Sequence, residues 1–351
     1  MRFSSHCLNW RAVLICLAGI ATAGEPDPLT NLLREEMEQR HIPGLAAAVV
    51  KDGKLIALRT LGWADIENQV AVTNETIFGF ASVSKPITAV AALQLVEAGK
   101  LRLDMPLKEC LPETPVHLQP ITVRQLLNHQ SGLRHYQSYP DREPLRHYSS
   151  LPEAFEAHES DALLFEPGQR FGYSTYGYLA LGCVMEKAAG LRFSEQLRTK
   201  VFLPAGMVTA RADSLYEIIP HRARGYFRSP NGELRNSQPF DASDKIPGGG
   251  LCGSIEDLAA FAAALQNGQL LTPKTMETMW TFQKLNDGSA TDYGLGWHLG
   301  DPASDEVYHS GSQARTSSYL YLKPKQRTAV AILSNLERVD FLHLARRIAP
   351  P

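Results

Sequence analysis

The stretch FASVSKPITAVAALQLVEAGKL, residues 80–101, puts Ile, Val, Leu or Ala on every side of any helix drawn through it. A helix that is apolar all round is stable only when buried. The stretch therefore predicts a helix at the centre of a large core, with the rest of the chain folded around it. Its first turn nevertheless carries Ser82 and Lys85. A spacing of three places both side chains on one helix face, about 5–6 Å apart at Cβ. The helix N-terminus adds partial positive charge and free N–H groups beside the serine, and Pro86 is tolerated in a first turn. Apolar surroundings disfavour an ammonium, so the lysine pKa should fall from about 10.4. A neutral amine can take the serine proton, which activates the nucleophile without a histidine. Ser-x-x-Lys occurs once in the chain, which is near chance frequency. Its weight comes from its place at the mouth of a buried helix.

The remaining elements surround that helix in a definite order. DPLTNLLREEMEQRHIPG reads as a helix closed by Pro-Gly, and LAAAVVKDGKLIALRTLGW as a hairpin turning at Asp52-Gly53. From Ser82 to about Met207 the signals are helical, clearest in ITVRQLLNH and YGYLALGCVMEKAAG. A second hairpin is expected around Asn231-Gly232, followed by the helix SIEDLAAFAAALQNG. YGLGWHLG, TSSYLYLKP and RTAVAILSN read as strands, and FLHLARRI as a terminal helix. Strands at both ends and helices between them predict an α/β (α+β) chain: a mixed sheet flanked by helices, with an inserted all-α domain. The sheet domain is assigned to residues 24–80 and 210–351, the helical domain to 81–209, and the active site to the cleft between them.

Composition removes several function classes. At 44% hydrophobic and 21% charged residues the chain is globular, and a net charge of −2 without long single-sign runs gives nucleic acid no footing. Eleven histidines fall in no zinc-binding pattern, and there is no Gly-rich phosphate loop, so neither metal nor cofactor is expected. MRFSSHCLNWR, the apolar AVLICLAGIATA and the Ala21-Thr22-Ala23 box read as a signal peptide, residues 1–23, cleaved after Ala23. Its apolar run is too short to span a bilayer. The mature protein is thus expected in the periplasm or outside the cell, with no integral membrane segment. Cys110, Cys183 and Cys252 remain; three cannot all pair, and the sequence does not decide whether any two do.

Two further clusters accompany Ser82 and Lys85. FEPGQRFGYSTYGYLALG sets Tyr173, Ser174 and Thr175 just before a helix. A lysine charge nearby would lower the tyrosine pKa from about 10 and make it a phenolate base. In YHSGSQARTSSYLYLKP, His309-Ser310-Gly311 precedes an alternating strand, where glycine would let a substrate backbone approach as an added strand. Taken singly, a tyrosine at a helix entrance more often packs, and a loop histidine is more often solvated.

The ordered set of S-x-x-K, Y-x-(N/S/T) and (K/H)-x-G resembles the serine β-lactamase and penicillin-binding superfamily. Within it, LLNHQSGLRHY, FEPGQRFGYSTYGY, GGGLCGSIEDLAAF and YGLGW are similar to the branch of class C β-lactamases, D,D-carboxypeptidases and esterases, its animal mitochondrial members above all. The resemblance implies an acylated nucleophile at Ser82, an activating amine at Lys85 and a general base at Tyr173. It places substrate contacts at Thr175, His309 and Gly311, and an oxyanion hole on the N–H groups of Ser82 and Ser312. Thr175 stands where β-lactamases usually hold asparagine, and a threonine lacks the amide's paired donor and acceptor. The expected partner is a peptide or small-molecule substrate carrying an amide or ester bond. A catalytically silent peptide-binding or self-assembling relative is the reading from another class, and the oligomeric state is open.

Overall fold

The computed structural model describes residues 27–136 and 145–349. The signal-peptide reading, and the middle of the loop RHYQSYPDREPLRHY, lie outside the described residues. Helix α1 (Pro28–Arg40) is capped by Asp27, whose carboxylate accepts from the N–H groups of Leu29 and Thr30. The hairpin β1 (Gly44–Lys51) and β2 (Lys54–Asp65) follows, then β3 (Val70–Ala71) and β4 (Phe78–Gly79). A 3₁₀ turn, Ala81–Val83, leads directly into α2 (Ser84–Glu97). Next come α3 (Leu107–Cys110), α4 (Val123–Leu127), α5 (Leu151–Glu156), α6 (Thr175–Ala189), α7 (Phe193–Leu197) and α8 (Leu203–Ala205). Strands β5 (Arg211–Ala212), β6 (Tyr226–Arg228) and β7 (Leu234–Asn236) precede α9 (Ile246–Gly249) and β8 (Leu251–Gly253). Helices α10 (Ile255–Gln266) and α11 (Pro273–Met279) lead to β9 (His298–Leu299), β10 (Val307–Gln313), β11 (Thr316–Lys323), β12 (Thr328–Ser334) and α12 (Leu342–Ile348).

The main sheet has the order β3-β2-β1-β12-β11-β10-β9, so strands from the two ends of the chain meet at β1 and β12. Its pairings are antiparallel throughout. Period-two alternation divides β1 between two cores. Ala46, Ala48 and Val50 face the larger core shared with α2, α6 and α10. Leu45, Ala47 and Val49 face the smaller one, against Leu33 of α1 and Phe341 and Leu344 at α12. Helix α2 lies in the larger core with all but its last turn covered.

Two local readings are corrected. YGLGWHLG is not a strand: only His298 and Leu299 pair with β10, and the preceding residues turn, with Gly296 in the left-handed region. His309-Ser310-Gly311 does not precede a strand but lies inside one, β10, paired residue for residue with β11. Its run of Ser and Gly hid the strand from a hydrophobic pattern. Cys110, Cys183 and Cys252 are buried free thiols. Among the described residues no helix is long and apolar enough to cross a membrane.

Candidate active site

Ser82 sits half-buried in the 3₁₀ turn, and the turn is pinned from the sheet side. Thr316 Oγ1 donates to the Gly79 carbonyl at 2.8 Å, Ser318 Oγ donates to the Phe80 carbonyl at 2.6 Å, and the Phe80 N–H donates to Leu251 O at 2.8 Å. Directly after these anchors Ala81 is held at φ +45°, a left-handed conformation uncommon for a residue with a Cβ. The strain persists because Phe80 is fixed before it and the Ser84 N–H donates to the Ala81 carbonyl after it.

Lys85 is fully buried on the first turn of α2. Its Nζ lies 3.3 Å from Ser82 Oγ, 3.2 Å from Thr175 Oγ1 and 2.5 Å from the Gly248 carbonyl. Burial pushes its pKa well below the ordinary lysine value, and the Lys245 charge adds to the effect. A neutral amine has two N–H donors and one lone pair. Gly248 O and Thr175 Oγ1 accept the donors, which leaves the lone pair for the Ser82 hydroxyl. The Gly248 carbonyl can reach so deep because residue 248 has no side chain. A Cβ there would stand 2.8 Å from Thr175 Cγ2 and 3.2 Å from Tyr178 Cβ. Thr88 Oγ1, donating to Pro247 O at 2.7 Å, holds the same turn against α2.

Tyr173 stands just outside the α6 N-terminus, which Ser174 caps by accepting from the Gly177 N–H at 2.9 Å. The Tyr173 hydroxyl hydrogen-bonds Ser82, and its ring lies 4.7 Å from Lys85 Nζ. Burial raises the Tyr173 pKa above the usual phenol value, outweighing the Ser82 bond that lowers it. Burial shifts the lysine and the phenol alike toward their neutral forms, which works against the expected phenolate. Ser82, Lys85, Tyr173 and Thr175 thus converge on one oxygen and one nitrogen.

Two other expectations change. Thr175 is buried, and its hydroxyl is used on Lys85 and on a hydrogen bond with Tyr136, so it faces inward rather than toward a substrate. His309 is as deep as Lys85, with Nε2 2.9 Å from the Tyr293 hydroxyl and Nδ1 2.6 Å from the Ser310 carbonyl. The carbonyl needs a donor, so Nδ1 carries the proton and Nε2 accepts from Tyr293. Burial, with His298 and Lys85 beside it, holds His309 well below the usual imidazole pKa. With both ring nitrogens engaged, His309 offers no free polar atom for the substrate contact the resemblance implied.

Gly311 packs directly under the Ser82 turn. A Cβ there would strike Ser318 Oγ and stand 2.6 Å from Phe80 O and 3.0 Å from the Ser82 nitrogen. Ser312, next along β10, is exposed, and its hydroxyl accepts from the Arg338 N–H at 3.1 Å. The pairing of β10 with β9 involves only Val307 and Tyr308, so the following stretch of β10 runs past Ser82 with one backbone edge outside that pairing.

Several residues of the site had no assigned role in the sequence reading. His129 is buried under the Tyr173 ring, centroids 4.2 Å apart, and its Nδ1 accepts from the Ser174 N–H at 3.1 Å. His135 Nδ1 accepts from the Thr175 N–H at 3.2 Å. Both lie in the LLNHQSGLRHY segment, where only a likeness of pattern marked them. The Gly248 carbonyl has no side-chain signal at all.

A sequence model of the family described as Beta-lactamase matches residues 29–350. The mitochondrial serine beta-lactamase-like protein LACTB of Homo sapiens is 26% identical, the alignment covering 91% of this chain and 78% of that protein. Penicillin-binding protein 4* of Bacillus subtilis (strain 168) is 29% identical over 87% of this chain and 71% of its own length. The crystal structure of a penicillin binding protein from Bacillus halodurans superposes with a TM-score of 0.77 at 27% identity, over 90% of this chain and 96% of that one.

Proposed function

The chain belongs to the beta-lactamase family of serine hydrolases, and from that premise we propose that it cleaves peptide or peptidoglycan-derived amides outside the cytoplasm through an acyl-enzyme on Ser82. The contact set of Lys85 Nζ carries this reading: two acceptors take its hydrogens, and the remaining direction meets Ser82 Oγ. Ser82 passes its proton to Lys85 as Oγ bonds to the substrate carbonyl carbon. The N–H groups of Ser82 and Ser312 receive the oxyanion as charge develops. Tyr173, kept as a neutral phenol, gives its proton to the leaving nitrogen and is reprotonated from Lys85 as the C–N bond breaks. Water then attacks the ester, its proton following the same groups back to Ser82.

Thr175 has no hydroxyl to spare for a side-chain amide, so penicillins should acylate slowly compared with the best peptide found. Incubation with a fluorophosphonate, followed by intact-mass analysis, should give a single adduct that Ser82→Ala abolishes. An adduct that persists in the variant would sink the assignment. Profiling a peptide and ester library would then separate the amide reading from that of a small-molecule esterase.

A further inference from the structure

His309 is buried with both ring nitrogens engaged, whereas a cation stands near the Lys85 pocket with donors to offer. Lys245 lies on the turn before α9, with its side chain only 12% exposed. Its Nζ sits 4.9 Å over the Tyr136 ring and 4.7 Å over the Phe240 ring, a box that favours a cation through the ring faces. Its ion contact, to its chain neighbour Asp244, is long at 3.5 Å, and that carboxylate oxygen is buried without a closer partner. Burial also pulls the Asp244 carboxyl upward, which weakens it as a counter-charge. The adjacent Asp241 is engaged elsewhere, 2.9 Å from His147 Nδ1 and accepting from the Ser243 N–H at 2.7 Å. Asp244 takes one of the three donors of Lys245 Nζ, at the long end of contact.

The position ties Lys245 to the nucleophile by two routes. Its carbonyl accepts the N–H groups of Gly248 and Gly249 at 2.9 and 2.8 Å, and the Gly248 carbonyl holds Lys85. Tyr136, beneath the ammonium, hydrogen-bonds Thr175, which itself contacts Lys85. An ammonium that is mostly covered but retains unspent donors is a carboxylate receptor in waiting, since a charge-assisted bond there is stronger than a neutral one. We propose that Lys245, boxed by Tyr136 and Phe240 beside the Lys85 pocket, receives a carboxylate of the substrate and so selects anionic substrates. This rests on Ser82 being the acylated nucleophile.

The test uses the full chain and pairs of fluorophosphonates that differ only in a terminal carboxylate or its methyl ester, at three tether lengths. In the wild type the carboxylate member should label Ser82 faster for at least one tether. Lys245→Met should lower the carboxylate-to-ester rate ratio by about tenfold at that tether, and Lys245→Arg should retain most of it. A simple electrostatic effect of Lys245 on Lys85 would change both members alike and cancel in the ratio, so an unchanged ratio overturns the proposal. A wild type that labels at Ser82 without preferring any carboxylate also overturns it, while leaving the acyl-enzyme intact. Absence of labelling at Ser82 would instead remove the acyl-enzyme reading beneath it. If the Met variant does not fold, Lys245→Gln supplies the same ratio.

Discussion

The helical and sheet walls around Ser82 bury the same kinds of group and use them differently. On the helical wall, α2, α6 and α9 gather Lys85, Thr175 and the Gly248 carbonyl around one nitrogen, which still has a direction left for Ser82. On the sheet wall, β10 carries His309 equally deep, but both ring nitrogens are occupied, by Tyr293 and by the Ser310 carbonyl. Burial lowers the pKa of both side chains. Only the lysine nitrogen keeps a direction open toward another side chain of the site, Ser82 Oγ at 3.3 Å. A perturbed pKa marks a reactive group only when its lone pair or proton has somewhere to go. The sheet wall contributes shape instead: a strand edge without side-chain bulk at Gly311, and hydroxyls of Thr316 and Ser318 that fix the Ser82 turn.

The largest effects should therefore fall on the helical wall. Lys85→Met removes the proton acceptor and should slow fluorophosphonate labelling of Ser82 by about 10²–10⁴-fold, the range of general-base help. Tyr173→Phe keeps the ring against His129 and loses the proton donor for the leaving nitrogen, so it should slow turnover of an amide substrate by the lower end of that range while fluorophosphonate labelling, which expels fluoride, changes less. Gel-based labelling reads the first variant, and amide hydrolysis beside labelling reads the second. The contrast between the walls breaks if His309→Asn loses as much as Lys85→Met.

That contrast also explains what was legible beforehand. The meeting of Ser82, Lys85 and Tyr173 was readable because ordered motifs set these side chains at particular spacings, and an apolar helix around a lysine announces its burial. The architecture was readable from strands at both ends of the chain. The depth of His309 was not, because VYHSGSQ shows no apolar alternation and its cover comes from Tyr293, distant in the pattern. Nor was the inward turn of Thr175, which depends on Tyr136 and Lys85 meeting it from separate elements. Backbone partners such as Gly248 O leave no trace in residue types. Lys245 was one lysine among many until two aromatic rings closed on it.

A smaller effect, different in kind, is expected on the sheet wall at Gly311. In Gly311→Ala the new methyl would meet Phe80 O, Ser318 Oγ and the Ser82 nitrogen, atoms that the turn cannot easily move. Overpacking of this sort costs about 1–3 kcal/mol. Unlike Lys85→Met, the variant should lose thermal stability and labelling rate together, the latter by about tenfold if 1.4 kcal/mol reaches the transition state. Calorimetry paired with labelling checks it. A variant with native stability and full labelling would mean that β10 stands further from Ser82 than the structure has it.

The smallest effect separates the two walls by pH. Burial holds His309 well below the ordinary imidazole pKa, with His298 and Lys85 adding repulsion against its charged form. Its one opposing influence, the bond to the Ser310 carbonyl, is outweighed. The native protein therefore leaves this histidine neutral at a pH where the unfolded chain, with a pKa of about 6.5, binds a proton. When the unfolded state binds more protons, stability falls as pH falls, here through about 6.5 and on toward the lower native value. The slope from one such group is at most about 1.4 kcal/mol per pH unit. His129 is depressed in the same direction, again chiefly by burial, and adds its own share. His309→Asn should consequently lose less stability than the wild type between about pH 7 and pH 5.5. The broken bond to Tyr293 lowers stability at both pH values alike and drops out of the difference. Denaturant titrations of the two proteins at each pH supply the four numbers needed. Equal losses on acidification would mean that His309 is already protonated in the native state at pH 5.5, a charge on the sheet wall that would erase its difference from the helical one.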